Sequence, residues 1–372
     1  MKIETLAVHA GAAADPVTGS VAPPLYLSTT FLHGPATEDI HGYIYVRDKN
    51  PTQDRLEAAM SALEGGEDAL VFSSGMGATA GFFQSLEPGS HVIVPEDVYV
   101  HVRDIAAKYL AKWQIASTTV DTQSPGAIAA AMRPNTKAIW AETPSNPQMK
   151  IMDIAAVAKI ARAGGAQLVV DNTFATPALQ RPIEFGADVV MHSTTKYCGG
   201  HSDVQGGCLV FRERGRSYER TLDARTILGA VGSPFNSWLI LRGLRSLPCR
   251  MERHAANAMA VAKALAQNKQ VERVFYPGLE THPGHEVAAR QMKHFGGMIS
   301  ILVRGGQEEA VRVVSRVKLF QPATSLGGVE SLIEHRYSAE GTGSTSPKNL
   351  LRLSVGLEHA DDLIADLVQA LG

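Results

Sequence analysis

Two rhythms of apolar and polar positions alternate along the middle of this chain. From about residue 50 to residue 215, short apolar runs end in turn-forming residues and give way to alanine-rich stretches of helical period. The runs are Asp68–Phe72, His91–Val94, Ile115–Val120, Lys137–Ala141, Gln167–Val170, Ala187–Met191 and Cys208–Phe211. Helices are predicted over Gln53–Leu63, Ala78–Leu86, Asp104–Lys112 and Asp153–Ala163. The last has Asp153 as its N-cap and Gly164-Gly165 as its stop. Seven strands interleaved with helices predict an α/β fold, a mostly parallel sheet covered on both faces. Ligands of such sheets bind outside the carboxyl ends of the strands.

The flanks read differently. The first ~45 residues show little periodicity and are rich in Pro, Gly and Thr. Their Leu25, Tyr26, Phe31, Tyr43 and Tyr45 favour an arm packed on another surface over a disordered one. Beyond about residue 235, one long helical region from Asn236 to about Asn268 leads into Val271–Tyr276 and Met298–Val303. A helix over Gln307–Val317, a strand over Asn349–Val355 and a helix over Ala360–Leu371 follow, with a polar loop at Ser338–Pro347. The expected division is an arm over 1–48, a large domain over 49–235 and a smaller C-terminal α/β domain over 236–372.

Composition narrows the function classes. Hydrophobic residues make up 45% and charged residues 19% of the 372, with a net charge of −2. That is the balance of an ordinary soluble enzyme. No basic stripe appears, so nucleic acid and membrane surfaces are not expected as partners. The opening Met1–Thr5 lacks the apolar core of a signal peptide, and no apolar run is long enough to span a bilayer, so a cytoplasmic location is expected. Cys198, Cys208 and Cys249 have neither paired nor zinc-type spacing, which points to free thiols in a reducing compartment.

Candidate chemistry gathers at the predicted strand ends. Asp171 closes one run, and Lys196 lies in His192-Ser193-Thr194-Thr195-Lys196-Tyr197 just past the next. A lysine among hydroxyls with a carboxylate on a neighbouring strand end suits a Schiff-base site, and a solvated surface charge is the plain alternative. Ser73-Ser74-Gly75-Met76-Gly77 sits at a strand-to-helix turn, where small residues free backbone N–H groups to meet a phosphate. The same stretch reads GxGxxA with Glu96 about twenty residues on, a weak dinucleotide fingerprint. Tyr99, past another strand, either stacks on a flat heterocycle or lines the core. Asn146, held between two prolines, either donates to a cofactor oxygen or forms an Asx turn. Arg352, a charge inside an apolar strand, either captures a substrate carboxylate or sits in a structural ion pair.

Together these segments resemble the Cys/Met-metabolism family of fold-type I enzymes that use pyridoxal 5′-phosphate (PLP). That family includes cystathionine γ-synthase, cystathionine β- and γ-lyases, methionine γ-lyase and O-acylhomoserine sulfhydrylases. The resemblance runs from Thr5–Gly11 and Ala22–Tyr26 through Tyr45-Val46-Arg47, Ser74-Gly75-Met76 and Glu142–Pro147. It continues through Asp171–Phe174, Lys196-Tyr197 and Gly200–Asp203 to Ser325–Gly328 and Leu351–Gly356. It implies that Lys196 is the Schiff-base lysine, Asp171 the partner of the pyridine nitrogen and Tyr99 the stacking ring. Ser74, Gly75, Met76, Ser193 and Thr195 then cradle the phosphate, and Asn146 lies near the cofactor hydroxyl. Arg352 anchors the substrate carboxylate, beside Ser325, Asn146 and Tyr45. Tyr45 and Arg47 resemble a pair that reaches the phosphate of a neighbouring subunit's cofactor. The family's usual state is a homotetramer, a pair of dimers that share their active sites.

The resemblance implies a C–S lyase acting by β- or γ-elimination on cystathionine, methionine or a similar amino acid. A γ-substitution transferase joining an activated homoserine to a nucleophile is the alternative, and a dinucleotide-binding oxidoreductase or binding module a third reading from another class. Several positions depart from the family's pattern. Thr324 stands where cystathionine γ-synthases and γ-lyases usually carry glutamate, and His101 where methionine γ-lyases usually carry cysteine. Glu334-His335-Arg336-Tyr337 replaces the usual Pro-x-x-Met-Thr-His stretch. Asp104 either faces a distal amine or decorates a helix, and the latter is favoured.

Overall fold

The computed structural model describes residues 1–372. Its larger sheet comprises β1 (Asp68–Phe72), β2 (His91–Pro95), β3 (Ala116–Val120), β4 (Thr136–Glu142), β5 (Gln167–Asp171), β6 (Val189–His192) and β7 (Gly207–Phe211). The spatial order is β1-β7-β6-β5-β4-β2-β3. Strands β2 to β6 pair in parallel, and β7 runs antiparallel between β1 and β6. All seven coincide with predicted apolar runs. Such runs lack alternation because β1, β2 and β4 to β7 are buried on both faces. Phe72, Phe82, Phe83 and Trp140 pack one face, and Leu56, Met60, Val190 and Val210 belong to the core on the other.

Helix boundaries follow from local chemistry. Asn50 caps Pro51–Glu64 by accepting from the Thr52 amide at 2.9 Å, and Gly65 ends that helix at φ 78°. Asp153 caps Ile154–Ala163 through the Ala156 amide, as its position predicts. The predicted Ala78–Leu86 helix begins earlier, at Gly75, because the Ser74 hydroxyl accepts from the Gly77 amide at 2.9 Å. The predicted Asp104–Lys112 helix is Val100–Lys108 followed by a 3-10 turn, Leu110–Trp113.

The second sheet has the order β10-β11-β12-β9-β8 and is antiparallel apart from its β10–β11 edge. Its strands are β8 (Val271–Phe275), β9 (Met298–Val303), β10 (Gln321–Pro322), β11 (Leu332–His335) and β12 (Leu350–Ser354). The expected single helix from Asn236 to Asn268 is two helices, Pro234–Leu244 and Leu247–Ala266. Pro248 explains the break: it lacks the N–H that would bond back to Leu244 and fits only the first turn of a new helix. Ile240, Leu241 and Leu244 of the first helix share a core with Leu56 and Met60 of the large unit.

The N-terminal stretch is more ordered than its weak periodicity predicts. Ile3–His9 is helical, with Ala7 buried and Ile3 and Leu6 packed on the core. Beyond it Val17, Val21, Leu27, Leu32 and Ile40 are exposed. No helix of the chain is long and apolar enough to cross a membrane. Cys198 and Cys208 are buried, Cys249 is exposed, and all three are unbridged.

Candidate active site

Register brings the candidate residues to one edge of the large sheet. Glu142 at the end of β4 lies opposite Asp171 at the end of β5, and Asp171 lies opposite Met191 on β6. The turns after β1, β2 and β6 leave the same edge, and β7 enters it at Gly207, opposite Phe72. A cavity there is lined by Ser74, Gly75, Met76, Tyr99, Asn146, Asp171, Ser193, Thr195 and Lys196. Thr324, Ser325, Arg336 and Arg352 close it from the second unit.

One end of the cavity is built for an anion. Gly75 and Met76, which open the helix Gly75–Gln84, line this end, and their amides have no carbonyl of their own helix to bond. A Cβ on Gly75 would stand 2.8 Å from the Ser193 Cβ, so a glycine lets the two turns meet. A Cβ on Gly207 would stand 2.1 Å from the Ser74 carbonyl oxygen, so β7 also needs its glycine to approach the turn. Ser193 is fixed by its amide bond to the Thr173 hydroxyl at 2.9 Å. The Thr195 hydroxyl is pinned to the Gly206 backbone, donating at 3.1 Å and accepting at 3.0 Å.

The floor carries two carboxylates. Asp171 is 8% exposed and accepts from the Thr173 amide at 2.9 Å. Burial raises its pKa, although the Thr173 bonds oppose the shift, and it forms no salt bridge within 4.0 Å. Its neighbour Glu142 accepts from the Tyr99 amide at 2.9 Å, and burial followed by the Asp171 charge pushes its pKa well up. Burial also raises the Tyr99 phenol. The Tyr99 ring sits edge-on to His101 at 5.2 Å.

Lys196 enters the cavity with no carboxylate partner. Burial, then the Arg352 charge, pulls its pKa down to about 8, and its Nζ donates to the Ser325 hydroxyl at 2.7 Å. Ser325 holds φ 108°, a conformation rare outside glycine that marks a constrained site. Arg352 combines the two readings its sequence left open. It pairs with Glu334 at 2.7 Å and also lines the cavity, donating to Asn146 Oδ1 at 3.0 Å and to the Ser325 carbonyl at 3.1 Å. Burial, then the Arg336 charge, lowers its pKa to about 10.

Tyr45 and Arg47 do not join this cavity. Both are exposed in the chain, with Arg47 donating to the Thr226 carbonyl at 3.3 Å and lying over the Tyr45 ring. Asp104 is bound to His101 and Lys108 on its own helix, as the plainer reading expected. Sequence reasoning gave no role to Glu142 or Arg336. The available signal was an acid ending an apolar run and an arginine in a stretch that departs from the family's pattern.

A model of the Cys/Met metabolism PLP-dependent enzyme family matches residues 4–372. The chain belongs to this family. It is 46% identical to a cystathionine γ-synthase of Mycobacterium tuberculosis, over 99% of this chain and 96% of that protein. It is 42% identical to a cystathionine γ-lyase of Bacillus subtilis, over 100% of this chain and 99% of that protein. A crystal structure of a cystathionine γ-synthase from Xanthomonas oryzae in complex with cystathionine superposes with TM-score 0.95 at 42% identity, covering 100% of this chain and 98% of that one. The chain is therefore a PLP-dependent enzyme of cystathionine and methionine metabolism. The cavity fits that cofactor. An anion-binding turn, a buried carboxylate without a cation and a low-pKa amine match a phosphate, a pyridine N–H and an aldehyde.

Proposed function

We propose that this chain works at the γ-carbon of a small amino acid: it exchanges the acyloxy group of an activated homoserine for a thiol, releasing the carboxylate, and when no thiol intercepts it eliminates the γ-substituent to leave a keto acid and ammonia. The observation that carries this reading is the convergence of Lys196, Asp171 and Arg352 in one cavity. The end-to-end likeness to a γ-synthase favours substitution, and the comparable likeness to a γ-lyase keeps elimination as the second reading.

PLP supplies an aldehyde that condenses with amines and a ring that accepts electron density from the substrate α-carbon. The chain's residues do the rest. The Gly75 and Met76 amides, with Ser74, Ser193 and Thr195, would hold the phosphate, Thr195 by turning its hydroxyl proton away from the Gly206 carbonyl. Asp171 holds the proton on the pyridine nitrogen, which relieves its own uncompensated burial. Tyr99, which lines the cavity, would stack on the ring. Arg352 binds the substrate carboxylate, and Asn146 and Ser325 keep its guanidinium in place. Lys196 takes the α-proton: a pKa of about 8 leaves roughly a tenth of its amine neutral at pH 7, far more than an ordinary lysine keeps. Tyr99 and Lys196 are the groups placed to protonate a departing sulfur or ester oxygen.

Tyr45 and Arg47, exposed in their own chain, serve the phosphate of a neighbouring subunit's cofactor in this reading. The assembly is then a homotetramer of site-sharing dimers acting in the cytoplasm. Supplying O-acylhomoserine with and without cysteine tests the reaction. A new thioether amino acid with cysteine, and keto acid with ammonia without it, are expected. Neither product from O-acylhomoserine, cystathionine or methionine would overturn the proposal.

A further inference from the structure

The second arginine in the cavity wall has no part in the chemistry above. Arg336 is 5% exposed at its side chain and borders the cavity beside Thr324 and Arg352. Its NH1 donates to Glu334 at 2.6 Å and its NH2 to Glu340 at 3.0 Å, while its Nε is buried without a protein partner. The two acids stand behind the arginines and are taken up by them. Glu334 also receives Arg352, and Glu340 also receives Arg103 at 2.9 Å, Ser344 and Ser346. Neither borders the cavity.

The only carboxylates that do border it are Glu142 and Asp171, at the cofactor end. Asp104, the other acid considered for a distal amine, is held on its helix by Lys108 and His101. Once a substrate α-carboxylate occupies Arg352, the wall therefore presents a guanidinium and no uncommitted acid to the side chain. Arg336 is paired to both acids, so what it offers a ligand is the N–H groups that Glu334 and Glu340 leave free: a carboxylate can accept from them, whereas a desolvated ammonium finds no carboxylate there to donate to.

We propose that Arg336 is a specificity-determining residue that selects amino acids whose side chain ends in a carboxylate over those ending in an ammonium. The proposal rests on the reading that the cavity takes an amino acid on Arg352. Three unreactive L-amino acids of equal length test it on the cofactor-loaded enzyme: 2-aminoadipate, norleucine and lysine. Dissociation constants are read from the visible absorption of the cofactor and from the melting temperature. The wild type is expected to bind 2-aminoadipate about ten-fold more tightly than norleucine, with lysine weakest, as one charge-assisted hydrogen bond implies. Arg336→Gln is expected to bring 2-aminoadipate to the norleucine value, and Arg336→Lys to keep most of the preference. A wild type that does not prefer 2-aminoadipate to norleucine, or binds lysine best, overturns the proposal without any variant. So does a preference that survives Arg336→Gln. If none of the three binds, the amino-acid reading of the cavity falls first and this proposal with it.

Discussion

Lys196 and Asp171 are each held where an ordinary lysine or aspartate would be unstable as a charge. Lys196→Ala is expected to abolish the visible absorption of the bound cofactor and turnover while leaving the far-UV spectrum intact. An unchanged visible band would remove Lys196 from its role. The depressed Lys196 pKa gives a second expectation with a definite sign. Only the neutral amine attacks an aldehyde, so the rate of PLP capture by the apoprotein should rise with pH and level off above about 8. A rate still climbing toward pH 10 in stopped-flow absorbance would show an unperturbed lysine. Asp171→Asn tests the proposal that this carboxylate keeps a ring nitrogen protonated. It should lower kcat by roughly 10- to 100-fold or more, the range of a lost charged hydrogen bond, with a smaller change in KM. Equal kcat in the two proteins would contradict the assignment.

Among elements, close approach at the sheet edge decides the site. Gly207 starts β7 against the Ser74 carbonyl, so Gly207→Ala must push apart the strand and the Ser74 turn. A loss of about 1–3 kcal/mol is expected from urea midpoints, together with weaker PLP binding. No loss would mean that the turn yields freely. Glycine spacing at Gly75 and Gly77 was visible in the sequence, but the contact between Gly207 and Ser74 was not, because it joins residues far apart in the chain. The same distinction separates what was legible from what was not. The seven large-sheet strands stood out because fully buried strands give unbroken apolar runs. β11 was missed because its Glu334 and His335 break the run: Glu334 takes up Arg336 and Arg352, and His335 bonds Ser338 and the Lys348 carbonyl. The helix break at Pro248 was readable in principle from the proline alone. Candidate residues at strand ends, from Ser74 to Lys196, were legible because strand-end position follows from the alternating pattern, and Arg352 because a charge inside an apolar strand stands out. Which partner each one meets, Glu142 on the Tyr99 amide and Ser325 on the Lys196 amine, is set by tertiary contact between residues far apart in the chain.

On the scale of the whole molecule, the exposed positions of Tyr45 and Arg47 matter most. If they complete a neighbour's site, neither Lys196→Ala nor Arg47→Ala homo-oligomers should turn over well, but a co-refolded equal mixture should recover activity. Random pairing into site-sharing dimers leaves one intact site in each mixed dimer, about a quarter of the wild-type value. No recovery in a mixture shown to have exchanged subunits would place Arg47 outside the site. The exposed Leu27, Leu32, Ile227, Leu228 and Phe235 provide apolar surface that such an assembly would bury. Sedimentation should then give a multiple of the 39.8 kDa chain mass. The central claim remains the attachment of the cofactor. Borohydride reduction of the PLP-loaded enzyme followed by peptide mass mapping tests it most directly. The cofactor label is expected on the peptide containing Lys196 and on no other lysine. A label on a different residue, or no covalent label in a protein that has bound PLP, would contradict the account.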